Sequence, residues 1–222
     1  MLRISILLLA LMALAPALAQ RKLPPDSLRW QDTKPTASFG LGTMVVAADG
    51  RTIRAFLPWK ELGYEGTVPY RNSSPEVRPF PEPAFAKVEK LHSMTVRGNY
   101  FETMRLPNDA HPQIMARRVV DGPVELFAYV DAKVFPVPLM GVGVAALTGA
   151  LSGIPDCTWY VRHNNKLERV RRKDFQEQMS TYTQDCLAVK EQILQGAKGF
   201  RYGDMPNIVS LYNQHLQEQA AK

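Results

Sequence analysis

The sequence predicts an α+β protein in which an antiparallel sheet, built from β-hairpins, is followed by two to three C-terminal helices. Short segments of alternating apolar and polar residues are separated by turn dipeptides such as Asp49-Gly50 and Asp121-Gly122, which favour tight hairpins. The prolines lie mostly before residue 160, where they disfavour long helices. Beyond residue 173 the apolar residues recur at helical spacing.

Residues 1–19 have the features of a secretory signal peptide. Arg3 provides a short positive end, residues 4–15 form an unbroken apolar run, and residues 17–19 read Ala-Leu-Ala, a typical cleavage site. The apolar run is too short to span a bilayer. We therefore expect cleavage after Ala19 and a secreted or periplasmic protein.

Residues 20–37 are polar and contain three prolines, which predicts an extended leader without its own core. The rest of the chain is long enough to form one domain with a buried core. The full sequence has a net charge of +6, and removal of Arg3 with the signal peptide leaves +5, a mild excess that favours weak association with anionic surfaces. Together with the predicted export, this small excess argues against a nucleic-acid partner.

Residues 38–172 are predicted to be rich in β-structure. Apolar alternation and turn signals predict four hairpins, which pair residues 38–47 with 51–57, 93–96 with 100–104, 114–120 with 124–130, and 157–162 with 167–172. Both faces of the third hairpin carry bulky side chains, which is typical of strands covered on each side.

Residues 58–83 are broken by prolines and rich in aromatic residues, and short strands are predicted at 68–71 and 76–80. Exposed rings bind sugars or peptides by stacking, but aromatic residues between short strands belong more commonly to a core. We favour the core interpretation for the aromatic residues of this region and its border: Trp59, Tyr64, Tyr70, Phe80 and Phe85.

Residues 134–155 form an apolar, glycine-rich stretch without a charged residue. The stretch is long enough for a membrane helix, and its small residues recur with the four-residue spacing of packed membrane helices. However, strands are predicted on both sides, and a membrane helix would place them on opposite sides of a bilayer. We favour a loop and keep a membrane anchor as the alternative.

Residues 173–222 predict a helical segment that packs on the sheet as part of the same domain. The first helix is capped by Lys173 or Asp174, the second covers 185–195, and Asp204 caps the third. The apolar faces of the first and third helices carry Phe175, Met179 and Tyr182, and Val209, Tyr212 and Leu216.

The two cysteines, Cys157 and Cys186, leave two interpretations open. In an oxidising compartment a disulfide between them would join the last hairpin to a helix and stabilise the fold by about 3 kcal/mol. The alternative is a pair of buried, unpaired thiols. The sequence does not distinguish the two, because it does not show how closely the Cα atoms approach.

A cluster of basic residues lies in and just after the last predicted strand, 167–172. On a strand, Arg169, Arg171 and Lys173 share one face, and they could hold an acidic glycan or phosphate head groups. The alternative is a solvated face whose charges block edge-to-edge pairing of strands.

The sequence contains no recognised catalytic or metal-binding motif. The four histidines are scattered, and no Gly-x-Ser-x-Gly elbow is present. Residues 141–146 match Gly-x-Gly-x-x-Ala, but Pro138 interrupts the strand that a dinucleotide-binding site needs. We therefore expect no cofactor and assign no catalytic residue.

The second half of the chain carries a series of short motifs, at 119–127, 159–162, 167–170, 172–175, 184–187, 200–206 and Tyr212-Asn213. In this order the motifs resemble those of a loosely defined set of secreted Bacteroidota proteins with no assigned activity. These proteins combine a signal peptide, hairpins with an Asp-Gly turn, and a helical tail ending in Tyr-Asn. The resemblance implies compartment and architecture only, and the long prolyl leader departs from the pattern.

We therefore expect a secreted or periplasmic protein that serves as a non-enzymatic binding or structural module of the cell envelope. Its expected partners are envelope glycan, a lipid surface or another envelope protein. Two alternatives remain: an envelope component anchored through residues 134–155, and a hydrolase acting on glycans or peptides.

Overall fold

The computed structural model describes residues 29–35, 37–106, 113–130 and 157–221. Within these ranges it confirms the α+β class. The strands are β1 (Phe39–Val46), β2 (Thr52–Pro58), β3 (Gly63–Glu65), β4 (Thr67–Tyr70), β5 (Ala84–Lys87), β6 (Leu91–Val96), β7 (Asn99–Arg105), β8 (Gln113–Val120), β9 (Val124–Tyr129), β10 (Thr158–His163) and β11 (Lys166–Val170). The helices are α1 (Phe175–Tyr182), α2 (Leu187–Leu194) and α3 (Met205–Ala220).

The main sheet is antiparallel, with the strand order β11-β10-β9-β8-β7-β6-β1-β2. From β6 to β11 each strand pairs with the next one in the chain, as expected for a meander of hairpins. The hairpin of β1 and β2 joins this meander because β1 pairs with β6. Strand β3 pairs with β8, and β4 and β5 form a separate two-stranded sheet.

Tight turns fix the register of the hairpins. Arg97 (φ 49°) and Gly98 (φ 75°) connect β6 to β7, and Asn164 (φ 50°) and Asn165 (φ 62°) connect β10 to β11. Two consecutive residues with positive φ match the right-handed twist of the flanking strands. Asparagine tolerates this conformation better than most residues, which suits Asn164 and Asn165 to the turn between the predicted strands 157–162 and 167–172.

The sheet has two differently covered faces. The first face carries Met94, Phe101, Leu126 and Trp159, whose side chains belong to two buried clusters. Helices α1 to α3 pack on the cluster at the β9–β11 end, and residues 59–88 pack on the other. The second face carries the side chains that alternate with these along the same strands, including that of the buried Phe127. This arrangement explains the bulk on both faces of the central hairpin.

The described part of the leader, residues 29–35, packs against the sheet. The Trp30 ring is stacked on the Phe56 ring with centroids 6.2 Å apart. Arg97 donates hydrogen bonds to the Thr33 and Lys34 carbonyls and lies 3.6 Å from an Asp32 carboxylate oxygen. Arg97 therefore ties this segment to the β6–β7 turn.

Two amide side chains from the helices satisfy backbone groups of the sheet. Asn213 in α3 accepts from the Val124 N–H at 2.8 Å and donates to the Val124 carbonyl at 2.7 Å. Gln178 in α1 donates to the Arg169 carbonyl at 2.8 Å and accepts from the Arg171 N–H at 2.9 Å. These side-chain hydrogen bonds satisfy backbone groups that would otherwise lack a partner, and they fix the helices on the sheet.

Two local predictions are wrong. Residues 76–80 form turns and bends instead of a strand, and β11 ends at Val170 instead of residue 172. Arg171 and Lys173 therefore do not share a strand face with Arg169, because the chain turns at 171–174 to begin α1.

Three predictions lie outside the described residues: the signal peptide with cleavage after Ala19, most of the leader, and the loop at 134–155. Within the described ranges, none of the helices combines the length and the apolar character that a membrane span needs.

Candidate functional site

The aromatic residues around 58–83 divide into two groups. Trp59 and Tyr64 are buried in the core beneath β3 to β5, as the core interpretation predicts. In contrast, Phe80 and Phe85 are 61% and 64% exposed. The core interpretation is therefore wrong for these two residues.

A groove with a volume of about 530 Å³ lies at the amino-terminal end of α1. We call it the basic groove and define it by Arg172, Lys173, Phe200, Arg201 and Tyr202, which line it. The first two residues come from the turn after β11, and the other three from the link between α2 and α3. The groove exists because this link folds back over the start of α1.

Contacts within the groove hold its side chains in place. The Arg172 guanidinium lies 4.8 Å from the Tyr202 ring centroid, in a cation–π arrangement. The Tyr202 hydroxyl donates to the Cys157 carbonyl at 3.0 Å, and Arg201 Nε donates to the Gly196 carbonyl at 3.1 Å. The aromatic ring and two cations are thus positioned by the sheet and by the end of α2.

The charge balance of the groove favours anions. Its lining includes two carboxylates, those of Asp174 and Glu177, against three cations. Asp174 is already paired, because one of its oxygens lies 3.3 Å from Arg171 Nε. The first-turn N–H groups of α1 also lie at this end and add partial positive charge.

The predicted basic cluster is only partly brought together. Lys173 lines the groove, Arg171 pairs with Asp174, and Arg169 lies in β11. Sequence reasoning missed Arg172 and Arg201 as groove residues. The adjacent pair Arg172-Lys173 before a helix start was a usable signal, but the position of Arg201 depends on the path of the α2–α3 link.

The second face of the sheet carries a closed ring of polar side chains. Arg162 binds both carboxylate oxygens of Glu102, and its Nε donates to Glu125 at 2.6 Å. Arg118 donates to the other Glu125 oxygen at 2.8 Å and lies 4.4 Å from the Tyr100 ring centroid. The Tyr100 hydroxyl donates to Glu102 at 3.0 Å and closes the ring. We call these five residues the charged ring.

The charged ring places two carboxylates, those of Glu102 and Glu125, on one arginine, so it bears on the hydrolase alternative. Burial acts to raise the pKa of Glu125, but the hydrogen bonds from Arg162 and Arg118 outweigh it and lower the pKa. Hydrogen bonds to Glu102 and then Glu125 raise the pKa of Arg162. A carboxylate held in its ionised form by two arginines is a poor general acid, so this geometry favours a structural role.

Both cysteines are buried, and both are free thiols in the structure. Cys157 and Cys186 belong to the same core cluster, between the sheet and the helices. The disulfide stays a prediction, and the intact mass of the purified protein tests it, because a disulfide removes two hydrogen atoms.

In the reduced protein, in which Cys157 is a free thiol, we expect the stability to fall at alkaline pH because of this residue. Burial raises the pKa of this thiol to about 12, above the value of about 8.5 in an unfolded chain. The contribution of the protonated thiol to the free energy of unfolding is complete below the pKa of the unfolded chain. This contribution is lost as the pH rises toward the pKa of the folded protein. The free energy of unfolding should drop by about 1 kcal/mol between about pH 8.5 and 9.5.

Urea unfolding of the wild type and of Cys157→Ala across this pH range measures the effect. The comparison uses the slopes with pH, because the substitution also changes packing. An equally steep alkaline decline in the variant would show that another group is responsible.

The described histidines, His92, His163 and His215, remain scattered. In the ranges that the structure describes, no group of His, Cys, Asp and Glu side chains is arranged to hold a metal ion.

No family model matches this chain, and comparisons with curated proteins and with solved structures likewise give no match. The geometry of the basic groove is therefore the basis of the function proposed below. The resemblance to secreted Bacteroidota proteins remains an expectation from the sequence.

Proposed function

We propose that this protein is an exported, non-enzymatic binding module of the cell envelope, and that it holds anionic groups in the basic groove. The observation that carries the proposal is the placement of three cationic side chains and an aromatic ring around one cavity. Export is supported by the signal-peptide features of residues 1–19. The proposal specifies the site of the binding role expected from the sequence.

The chemistry of the groove suits sulfate, phosphate and carboxylate groups. Arginine offers paired N–H donors that match these anions, and lysine adds a mobile charge. The contact of Arg172 with Tyr202 orients its guanidinium. The adjacent aromatic surface of Phe200 and Tyr202 offers apolar contact to a sugar ring or a similar group.

A labelled heparin oligosaccharide is a suitable soluble probe, with an uncharged maltooligosaccharide of similar length as the control ligand. We expect the wild type to bind only the sulfated probe, and the affinity to decrease as salt is added. The double substitution Arg172→Gln with Lys173→Gln should weaken binding at least tenfold, which corresponds to about 1.4 kcal/mol or more. Fluorescence anisotropy measures both effects.

Arg51→Gln with Lys87→Gln is the matched control, because it removes the same charge from exposed side chains outside the groove. This variant should change the affinity by less than about threefold. Equal weakening by the two double variants would mean that net charge, and not the groove, attracts the probe. That result would overturn the proposal, as would tight binding of the uncharged probe.

A further inference from the structure

We propose that the anionic group in the basic groove belongs to a membrane lipid, and that α2 lies on the membrane surface through Leu187 and Leu194. This inference rests on the proposed function and names the source of its ligand. The protein would thus be peripherally attached, by a helix face and a head-group site that act together.

The first observation is an apolar ridge on α2. Leu187 and Leu194 are 65% and 52% exposed. Seven residues correspond to almost two helical turns, so both side chains leave the helix on the same side. The buried residues of α2, Val189 and Ile193, face the core. The helix therefore packs by one side and presents large apolar side chains on another.

The second observation places this ridge beside the groove. Gln176 lines the groove, and its side chain donates to the carbonyls of Ile193 and Leu194 at 3.3 Å each. Gly196, two residues after Leu194, also lines the groove. The exposed Leu194 therefore lies at the end of the helix that borders the cationic side chains.

The third observation is the charge around the ridge. Lys190 lies between the two leucines in the sequence, and Lys198 follows α2, with Glu191 as the acidic residue of the helix. Together with Arg172, Lys173 and Arg201, these lysines outnumber the carboxylates of Glu191 and of the groove, those of Asp174 and Glu177. Anionic head groups attract such basic clusters, and apolar side chains add affinity when they enter the acyl boundary.

A soluble acidic glycan would use the groove alone and has no use for the leucine ridge. A lipid surface uses both features, because its phosphates and its acyl chains lie a few ångströms apart. Pairing one weak apolar contact with one weak electrostatic contact is the usual requirement for stable peripheral attachment. For this reason we choose the lipid over the glycan.

Vesicle co-sedimentation tests the inference with phosphatidylcholine vesicles, alone or with about one third phosphatidylglycerol. We expect the wild type to bind only the anionic vesicles and to dissociate at high salt. Leu187→Gln with Leu194→Gln should weaken vesicle binding at least tenfold and leave heparin-oligosaccharide binding unchanged. Phe80→Gln with Phe85→Gln is the matched control, because both rings are similarly exposed elsewhere, and it should bind vesicles like the wild type.

The outcomes separate this inference from the proposed function. Binding of the oligosaccharide without binding of anionic vesicles would overturn the lipid inference and leave the anion-binding function standing. Loss of both would overturn both. Equal weakening of vesicle binding by the leucine and phenylalanine variants would also overturn the inference, because the attachment would then not depend on α2.

Discussion

Replacing Asn213 by alanine should lower the free energy of unfolding by about 2–5 kcal/mol, because two buried backbone groups are left unpaired. Asn213 is buried, and Val124 is fully buried beneath it. The side-chain amide of Asn213 forms hydrogen bonds with both the N–H and the carbonyl of Val124. Alanine removes the hydrogen-bond partner of both of these buried backbone groups. Urea unfolding followed by tryptophan fluorescence measures the loss.

Gln214→Ala is the matched control, since it truncates an exposed amide at the next position of α3. Its effect should stay within about 0.5 kcal/mol. Gly122→Ala should act in the same direction as Asn213→Ala, because Gly122 has φ 149° and an added Cβ would lie 2.6 Å from the Asn213 Nδ2. A loss below about 0.5 kcal/mol for Asn213→Ala would show that the contact is not structural.

Asn213→Asp tests the direction of the two hydrogen bonds. The new carboxylate can accept from the Val124 N–H, but its other oxygen faces the Val124 carbonyl and repels it. Burial and this repulsion should raise the folded pKa of the carboxyl above its unfolded value of about 3.9. The variant should therefore recover stability as the pH falls, because the protonated group can donate to the carbonyl.

Most of the sheet could be predicted from the sequence because its signals are local. Asp49-Gly50 and the Asn164-Asn165 turn fix hairpins whose strands are neighbours in the chain. Strand β3 could not be predicted in this way. It has three residues, and it exists only because it pairs with β8, more than forty residues later in the sequence. Such long-range pairing leaves no periodic pattern in a short segment.

The residues of the candidate sites likewise differ in whether local sequence or long-range folding places them. Lys173 was predicted as a ligand-binding residue because basic residues cluster near it in the sequence, and it lies in the groove. Arg201 was missed because only the folded α2–α3 link brings it there. Asn213 did leave a signal: it follows Val209 by four residues and therefore lies on the apolar side of α3. A polar residue at such a position needs a buried partner.

Replacing Arg162 by methionine should destabilise the protein by about 2–4 kcal/mol, somewhat less than the cost of breaking a fully buried ion pair. The side chains of Glu102 and Glu125 are 12% and 18% exposed, and both bind Arg162. Methionine fills similar space above Phe127, so the main cost is two carboxylates without their shared cation. The cost should therefore depend on the charge of these carboxylates.

The pH dependence gives this prediction its sharpest test. In the wild type the lowered pKa of Glu125 contributes stability that is present above the unfolded pKa and lost as the pH falls through the folded pKa. In Arg162→Met, Glu125 loses the hydrogen bond that lowers its pKa most, so its folded pKa should rise and the variant should lose less stability in acid than the wild type. The difference in the free energy of unfolding between wild type and variant should thus shrink from about pH 6 to about pH 4.

Adding Glu102→Gln should recover part of the loss at neutral pH, since one unpaired charge is removed. A difference that stays constant with pH would instead assign the loss to packing.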